Sequence, residues 1–243
     1  MSAEDYADPV QLMNHFYQRI VEVKQWIYEG TLSDHVAAQL NLTRSPSDEE
    51  VSEVISLRLE RWVEQVRLKV SNVFTEQECR QINEALFVMV ALADELFIMQ
   101  IHWSGREHWH NFLLEEKIYQ SCFAGERFFS AAAKLLTKRT LDTQERKLAA
   151  VYLFALRLGF SGRYRDQPKR LNHVRQELFK RLNSTYHDAD LPVCPQAYQH
   201  LLSSWQEQRL APLAGWYKVI ALGSLGYLLI GLAVWYGFAG NWT

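Results

Sequence analysis

The sequence predicts an all-α protein: a helical body over residues 1–190, a stalk over 191–218, one membrane-crossing helix at 219–239 and a short tail at 240–243. Three observations predict it. Apolar residues recur at steps of three and four along most of the chain. Ser, Thr or Asp followed three residues later by Glu or Gln opens several of those stretches, the reciprocal capping pattern of a helix start. One long uncharged run lies near the C-terminal end. No strand-like alternation with hairpin turns occurs, and there is no fixed-period repeat or low-complexity tract.

The first helix opens at "DPVQ", with Asp8 as N-cap, Pro9 in the first turn and Gln11 placed to close a capping box. Leu12, Phe16, Ile20, Val23 and Ile27 form its apolar face, and Gly30 stops it. "SDEE" opens a second helix, Ser47 and Glu50 forming the box, with a stripe of Val51, Val54, Ile55, Trp62, Val63 and Val66. "TEQE" repeats the device with Thr75 and Glu78. The helix it opens is apolar on nearly every side from Ala85 to Met99, so it should be central. After the break at "SG", "WHNFLLEEKIYQSCF" predicts a shorter helix, and "AGERFFSAAAKLLTK" another that begins just past Gly125. "DTQE", Asp142 to Glu145, leads into "RKLAAVYLFALRL". Gly159 and Phe160 fit a Schellman stop, the glycine left-handed and the phenylalanine packed back on Phe154 or Ala155. "PKRLNHVRQELFKRLNS" is the last amphipathic helix of a body of seven or eight, and the linker from Asp188 to Pro195 is its boundary with the stalk.

From Val219 to Ala239 there is no charged residue. At about 1.5 Å per residue the run spans roughly 30 Å, the thickness of a bilayer's hydrocarbon core. Trp216 and Tyr217 precede it and Trp235, Tyr236 and Trp242 close it, as in interfacial belts. Lys218 and Arg209 lie on its N-terminal side and the tail "GNWT" is uncharged, which keeps the body in the cytoplasm. Ala233 and Gly237 are spaced small-xxx-small, with Gly226 and Gly231 nearby, so close approach to another membrane helix or to a second copy is one reading. Plain abundance of small residues in such spans is the other.

A net charge of −2 gives no reason to expect a nucleic-acid partner. Cys79, Cys122 and Cys194 form no CxxC and no disulfide framework. The N-terminus lacks the basic start and apolar core of a secretory signal. "HWSGREHWH" crowds three histidines and two tryptophans together, but His108 and His110 diverge on a helix and no second ligand cluster accompanies them. A turn packed by Trp103 and Trp109 is the better reading, and no metal or cofactor is expected.

"ALADELF" sets Asp94 and Glu95 inside an apolar helix near its C-terminal end, where acids oppose the dipole and lose hydration. A catalytic pair is one reading, but neighbours on a helix point about 100° apart, and no catalytic residue or nucleophile motif accompanies them. A polar recognition patch is preferred, with a salt bridge to Arg163, Arg165 or Arg106 as its competitor.

Taken in order, "ALADELF", "HWSGREHWHNFLLEEKIYQ", "AGERFF" and "LAAVYLFALRLGFSGRYR", followed by a membrane helix, resemble the DotU/IcmH-like family, the TssL component of type VI secretion systems, with a sister in type IVB secretion. The motifs cover about Leu86 to Leu178. "LGFSGRYR" is similar to the family's LGF-x-G-[RK]-Y pattern, and "AGERFF" to its GGE-x-FF pattern with Ala124 for the first glycine. The resemblance implies a hook of two three-helix bundles on one inner-membrane helix, with no enzymatic activity. It implies docking of the large IcmF-like protein TssM and of baseplate proteins such as TssK. It also assigns partner contact to the acid pair, here Asp94 and Glu95; Arg163 and Arg165, delivered by the glycine turn, are expected to join them. The remaining motif residues read as scaffold: Gly125 and Glu126 at a helix start, Phe128 and Phe129 in the core, and Gly159, Phe160, Gly162 and Tyr164 around a turn.

Overall fold

In the computed structural model the described residues are 3–183. The chain divides into two compact units, Met1–Asp188 and Ala189–Thr243, and the description below concerns the first. The stalk, the apolar run at 219–239 and Gly226, Gly231, Ala233 and Gly237 lie outside the described residues. Within them every regular element is helical, and no helix is long and apolar enough to cross a membrane.

The elements are α1 (Ala3–Ala7), α2 (Pro9–Glu29), α3 (Leu32–Leu40), α4 (Asp48–Val73), α5 (Glu76–Glu95), α6 (Leu114–Tyr119), α7 (Ala124–Thr137), α8 (Thr143–Arg157) and α9 (Pro168–Asn183). A π turn, Leu96–Gln100, prolongs α5, and 3₁₀ turns occupy Ser104–Glu107, Trp109–Phe112 and Gly162–Tyr164.

The capping chemistry explains most starts. Ser47 with Glu50, Thr75 with Glu78 and Asp142 with Glu145 all form reciprocal boxes, each cap contributing about 0.5–2 kcal/mol. At α2 the structure differs from the expected box. Asp8 accepts from Val10 N at 2.9 Å and Gln11 makes no return bond. The second Asp8 oxygen meets Lys147 of α8 at 3.1 Å, so the cap also ties two helices. Gly30 ends α2 in the left-handed region, φ 72°, as expected of a glycine stop.

α5 is the axis. It packs on α2, α4, α6, α7 and α8, and α2 packs on α8 as well. From Ala85 to Phe97 every residue of this helix is buried, the acid pair included. Such an all-round apolar helix is stable only with neighbours on each side. The stripes of α2 and α4 face it: Leu12, Phe16, Ile20 and Val23 from one, Val54, Ile55, Leu59, Val63 and Val66 from the other.

Three elements depart from expectation. α3 opens without a capping hydrogen bond from Thr31, so no local signal announces it; Leu32 and Val36 hold it by burial. The helix expected over the "WHNFLLEEKIYQSCF" stretch is broken into a 3₁₀ turn and α6. The reason is tertiary: Asp94 takes the N–H groups of Leu114 and Glu115, fixing α6 to start there. α7 begins at Ala124, so Gly125 lies inside its first turn rather than ahead of it.

Candidate functional site

Asp94 and Glu95 close α5, and the two consecutive side chains leave the helix in different directions. Each is 7% exposed. Asp94 turns to α6: Oδ1 accepts from Trp109 Nε1 and Leu114 N, both at 3.0 Å, and Oδ2 from Glu115 N at 2.8 Å. The carboxyl acts as the N-cap that α6 lacks locally. Glu95 turns to the segment after α8. Its oxygens accept from Ser161 N at 3.1 and 3.2 Å, from Gly162 N at 2.9 Å and from Ser161 Oγ. Arg165 stands 3.5 Å away. Of the competing salt bridges weighed from sequence, this long Arg165 contact is the one formed. Arg106 instead donates through Nε to Ile98 O at 2.6 Å.

Around Asp94 the tryptophans of "HWSGREHWH" build a wall. Trp109 is fully buried and stacks on Phe97 with centroids 4.6 Å apart, and Trp103 meets it edge-on at 5.6 Å. Trp103 Nε1 donates to Phe97 O at 3.0 Å. Trp103 and Arg106 thus satisfy carbonyls at the helix end that have no further helical donors. The histidines face outward by comparison, His102 and His110 exposed and His108 half-buried. From α4, the buried Ser52 and Ser56 donate to Gly105 O at 2.5 Å and Phe112 O at 2.7 Å, fastening the same connector. A Cβ on Gly105 would sit 2.3 Å from Ser52 Oγ and 2.6 Å from the Trp103 ring, so glycine is required there.

The Glu95 side is built by the glycine motifs. Gly159 has φ 115° and its carbonyl accepts from Gln100 Nε2 at 2.7 Å. Phe160 N donates to Ala155 O at 2.9 Å, the long bond of a Schellman stop. The Phe160 ring packs on Phe128 at 4.2 Å and Phe129 at 6.1 Å, because α7 covers this end of α8. Gly125 and Gly162 meet backbone to backbone: a Cβ on Gly162 would lie 3.0 Å from Gly125 Cα, and one on Gly125 3.2 Å from Arg163 N. Tyr164 packs on Phe129 at 4.4 Å, and Arg163 lies exposed over the Tyr164 ring at 4.8 Å. Glu126 stays exposed in the first turn of α7.

The structure therefore gathers the residues singled out from sequence into two neighbouring sets. Asp94, Trp103 and Trp109 hold the 102–119 connector. Glu95, Gly125, Phe128, Phe129 and the 159–165 segment form the other. Ser52, Gln100, Gly105 and Ser161 belong to these sets and were missed; of them only Gly105, in "SG", carried a sequence signal. A cavity of about 10 Å³ lined by Phe74, Glu78, Ile82 and Gln144 includes neither acid. It has room for about one water.

Burial pushes the Asp94 carboxyl up to about 6; its bonds from Glu115 N, Leu114 N and Trp109 pull the other way, and the neighbouring Glu115 adds to the rise. The folded value lies above the usual 3.8. The associated stability is therefore fully present below about pH 3.8 and is lost as pH rises through about 6. Asp94→Asn removes this titration. Chemical denaturation of the two proteins across pH 4 to 7 should find the variant's deficit largest at the acid end and smaller by on the order of 2 kcal/mol at neutral pH. A deficit that grows with pH would refute the assignment.

Residues 30–239 match the family model described as type VI secretion system protein DotU. Among solved structures, the cytoplasmic domain of TssL from Acinetobacter baumannii is similar, with a TM-score of 0.52 and 18% identity over 73% of this chain and 98% of that one. That likeness concerns the fold. No curated protein matches the chain.

Proposed function

The chain belongs to the type VI secretion DotU family, and from that premise we propose that it is a non-catalytic, structural component of the secretion system's inner-membrane complex. One observation carries this reading: the family match runs from residue 30 through 239, across the helical body and the apolar run alike. The run at 219–239 then crosses the membrane once and leaves the body in the cytoplasm. The matching model's description favours type VI over the type IVB counterpart. A hook of two three-helix bundles is the expected shape, and the mutual packing of α2, α5 and α8 supports one of the two.

In this role the body docks an IcmF-like TssM protein and a TssK-type baseplate protein. The acid pair serves that docking from inside. Both carboxyls are buried and spend their acceptor capacity on internal donors. This leaves them to position the surface that a partner touches, with Arg163 and Arg165 presented on the turn that Glu95 grips. It also argues against acid–base catalysis, which needs a carboxyl within reach of a substrate proton.

Affinity purification of the detergent-solubilised chain from its own cells tests the proposal. A large IcmF-like membrane protein should co-purify, and carbonate washing should leave the chain in the membrane. Release by carbonate, or purification without either partner, would overturn it.

A further inference from the structure

α9 carries Lys169, Arg170, Arg175, Lys180 and Arg181 against one acid, Glu177, in a chain whose net charge is −2. The charge is also sorted by face. At 100° per residue, Lys169, Arg170, His173, Lys180 and Arg181 fall on one side and Leu171, Val174, Leu178 and Leu182 on the other. Leu178 is fully buried and α9 packs on α8, so the apolar side is spent on the body. Arg175 turns inward as well, donating to Leu156 O at 2.8 Å. On the outer side Lys169 and Arg170 keep their charge for another use. Lys169, Arg170 and His173 are exposed, and no ion pair joins Lys169 or Arg170 to an acid among the described residues. Glu177 on this side is already paired with Lys180 at 3.0 Å, and Asp166 lies exposed just before the helix.

We propose that the basic outer face of α9 binds an anionic lipid surface. The proposal rests on the single-pass reading above and adds to it. Two observations select a bilayer over an acidic protein. The charge of Lys169, Arg170 and Lys180 is spread along the face, and so complements anionic headgroups, as binding to a diffuse negative surface requires. And the uncharged run at 219–239 follows α9 on the same chain, so a bilayer that holds the run is tethered to this face. Each Lys or Arg near such a surface favours contact by roughly fivefold, and tethering makes even a weak preference sufficient.

The full chain is reconstituted into vesicles of phosphatidylcholine alone or with about one third phosphatidylglycerol, the negative charge that the effect needs. His173→Cys, in a chain with Cys79, Cys122 and Cys194 changed to Ser, carries a bimane label, and a nitroxide on the lipid headgroup quenches it. Quenching should be about twofold stronger in the anionic vesicles. It should fall to the neutral level in about 0.5 M salt, where the screening length drops to a few ångströms. Lys169→Glu, Arg170→Glu and Lys180→Glu together should abolish the difference, with unchanged helical circular dichroism. Equal quenching in both vesicles, or a difference that survives the charge reversal, overturns the inference alone. A chain left at the bottom of a flotation gradient with both vesicles overturns the anchor, and this inference with it.

Discussion

Trp109→Ala should cost the body about 3–5 kcal/mol, the usual range for truncating a buried tryptophan. The indole is fully buried, stacked on Phe97 and edge-on to Trp103, so its removal leaves a cavity at the end of α5. It also strips one donor from Asp94, whose carboxyl then stays buried with two backbone partners. In a body of this size the loss corresponds to a fall in unfolding midpoint of roughly 6–20 °C. Thermal unfolding of the detergent-solubilised chain, followed by circular dichroism, measures it. His110→Ala, one residue on and exposed, should stay within about 0.5 kcal/mol of the parent. Equal effects at the two positions would refute the picture of a stretch whose tryptophans bear structure and whose histidines do not.

Glu95→Ala should cost about 2–4 kcal/mol, because the amides of Ser161 and Gly162 lose their acceptor inside the protein. The loss has an address. Glu95 holds the turn at Gly162–Tyr164, which leads directly into α9. Hydrogen exchange should speed up from Ser161 through the start of α9 and stay unchanged in α2 and α4. Glu95→Gln should fall between, since the amide oxygen can accept one bond while its NH₂ group opposes the other donor. Partner capture should follow the same order if the turn presents Arg163 and Arg165. Uniform exchange across the body, or full partner capture by the alanine variant, would remove Glu95 from this role.

What was legible in the sequence is what local chemistry decides. The boxes at Ser47, Thr75 and Asp142, the glycine stops at Gly30 and Gly159 and the central position of α5 follow from spacing and hydrophobic period. Phe128 and Phe129 proved buried, as their motif suggested. What escaped was decided by residues far apart in the chain. The Asp94 carboxyl satisfies N–H groups of Leu114 and Glu115, and Glu95 those of Ser161 and Gly162, so their placement depends on tertiary folding that no window reveals. Ser52 and Ser56 look like ordinary polar positions on α4 until the connector carbonyls arrive over them. α3 was missed because its start lacks a cap and it is short. The Phe160 stop was legible, but its ring contacts with Phe128 and Phe129 of α7 join residues far apart in the chain.

The meeting of Gly125 with Gly162 has a bearing on how such a sequence can drift. With main chains this near, a methyl at either position presses on backbone and needs it to shift by a few tenths of an ångström, and Gly162 adds a φ of 44° that disfavours side chains. Replacing one glycine would strain the contact between α7 and the loop whatever stands at the other, because each methyl meets main chain rather than the partner's side chain. The two positions therefore set one joint limit on what the junction between α7 and the turn admits.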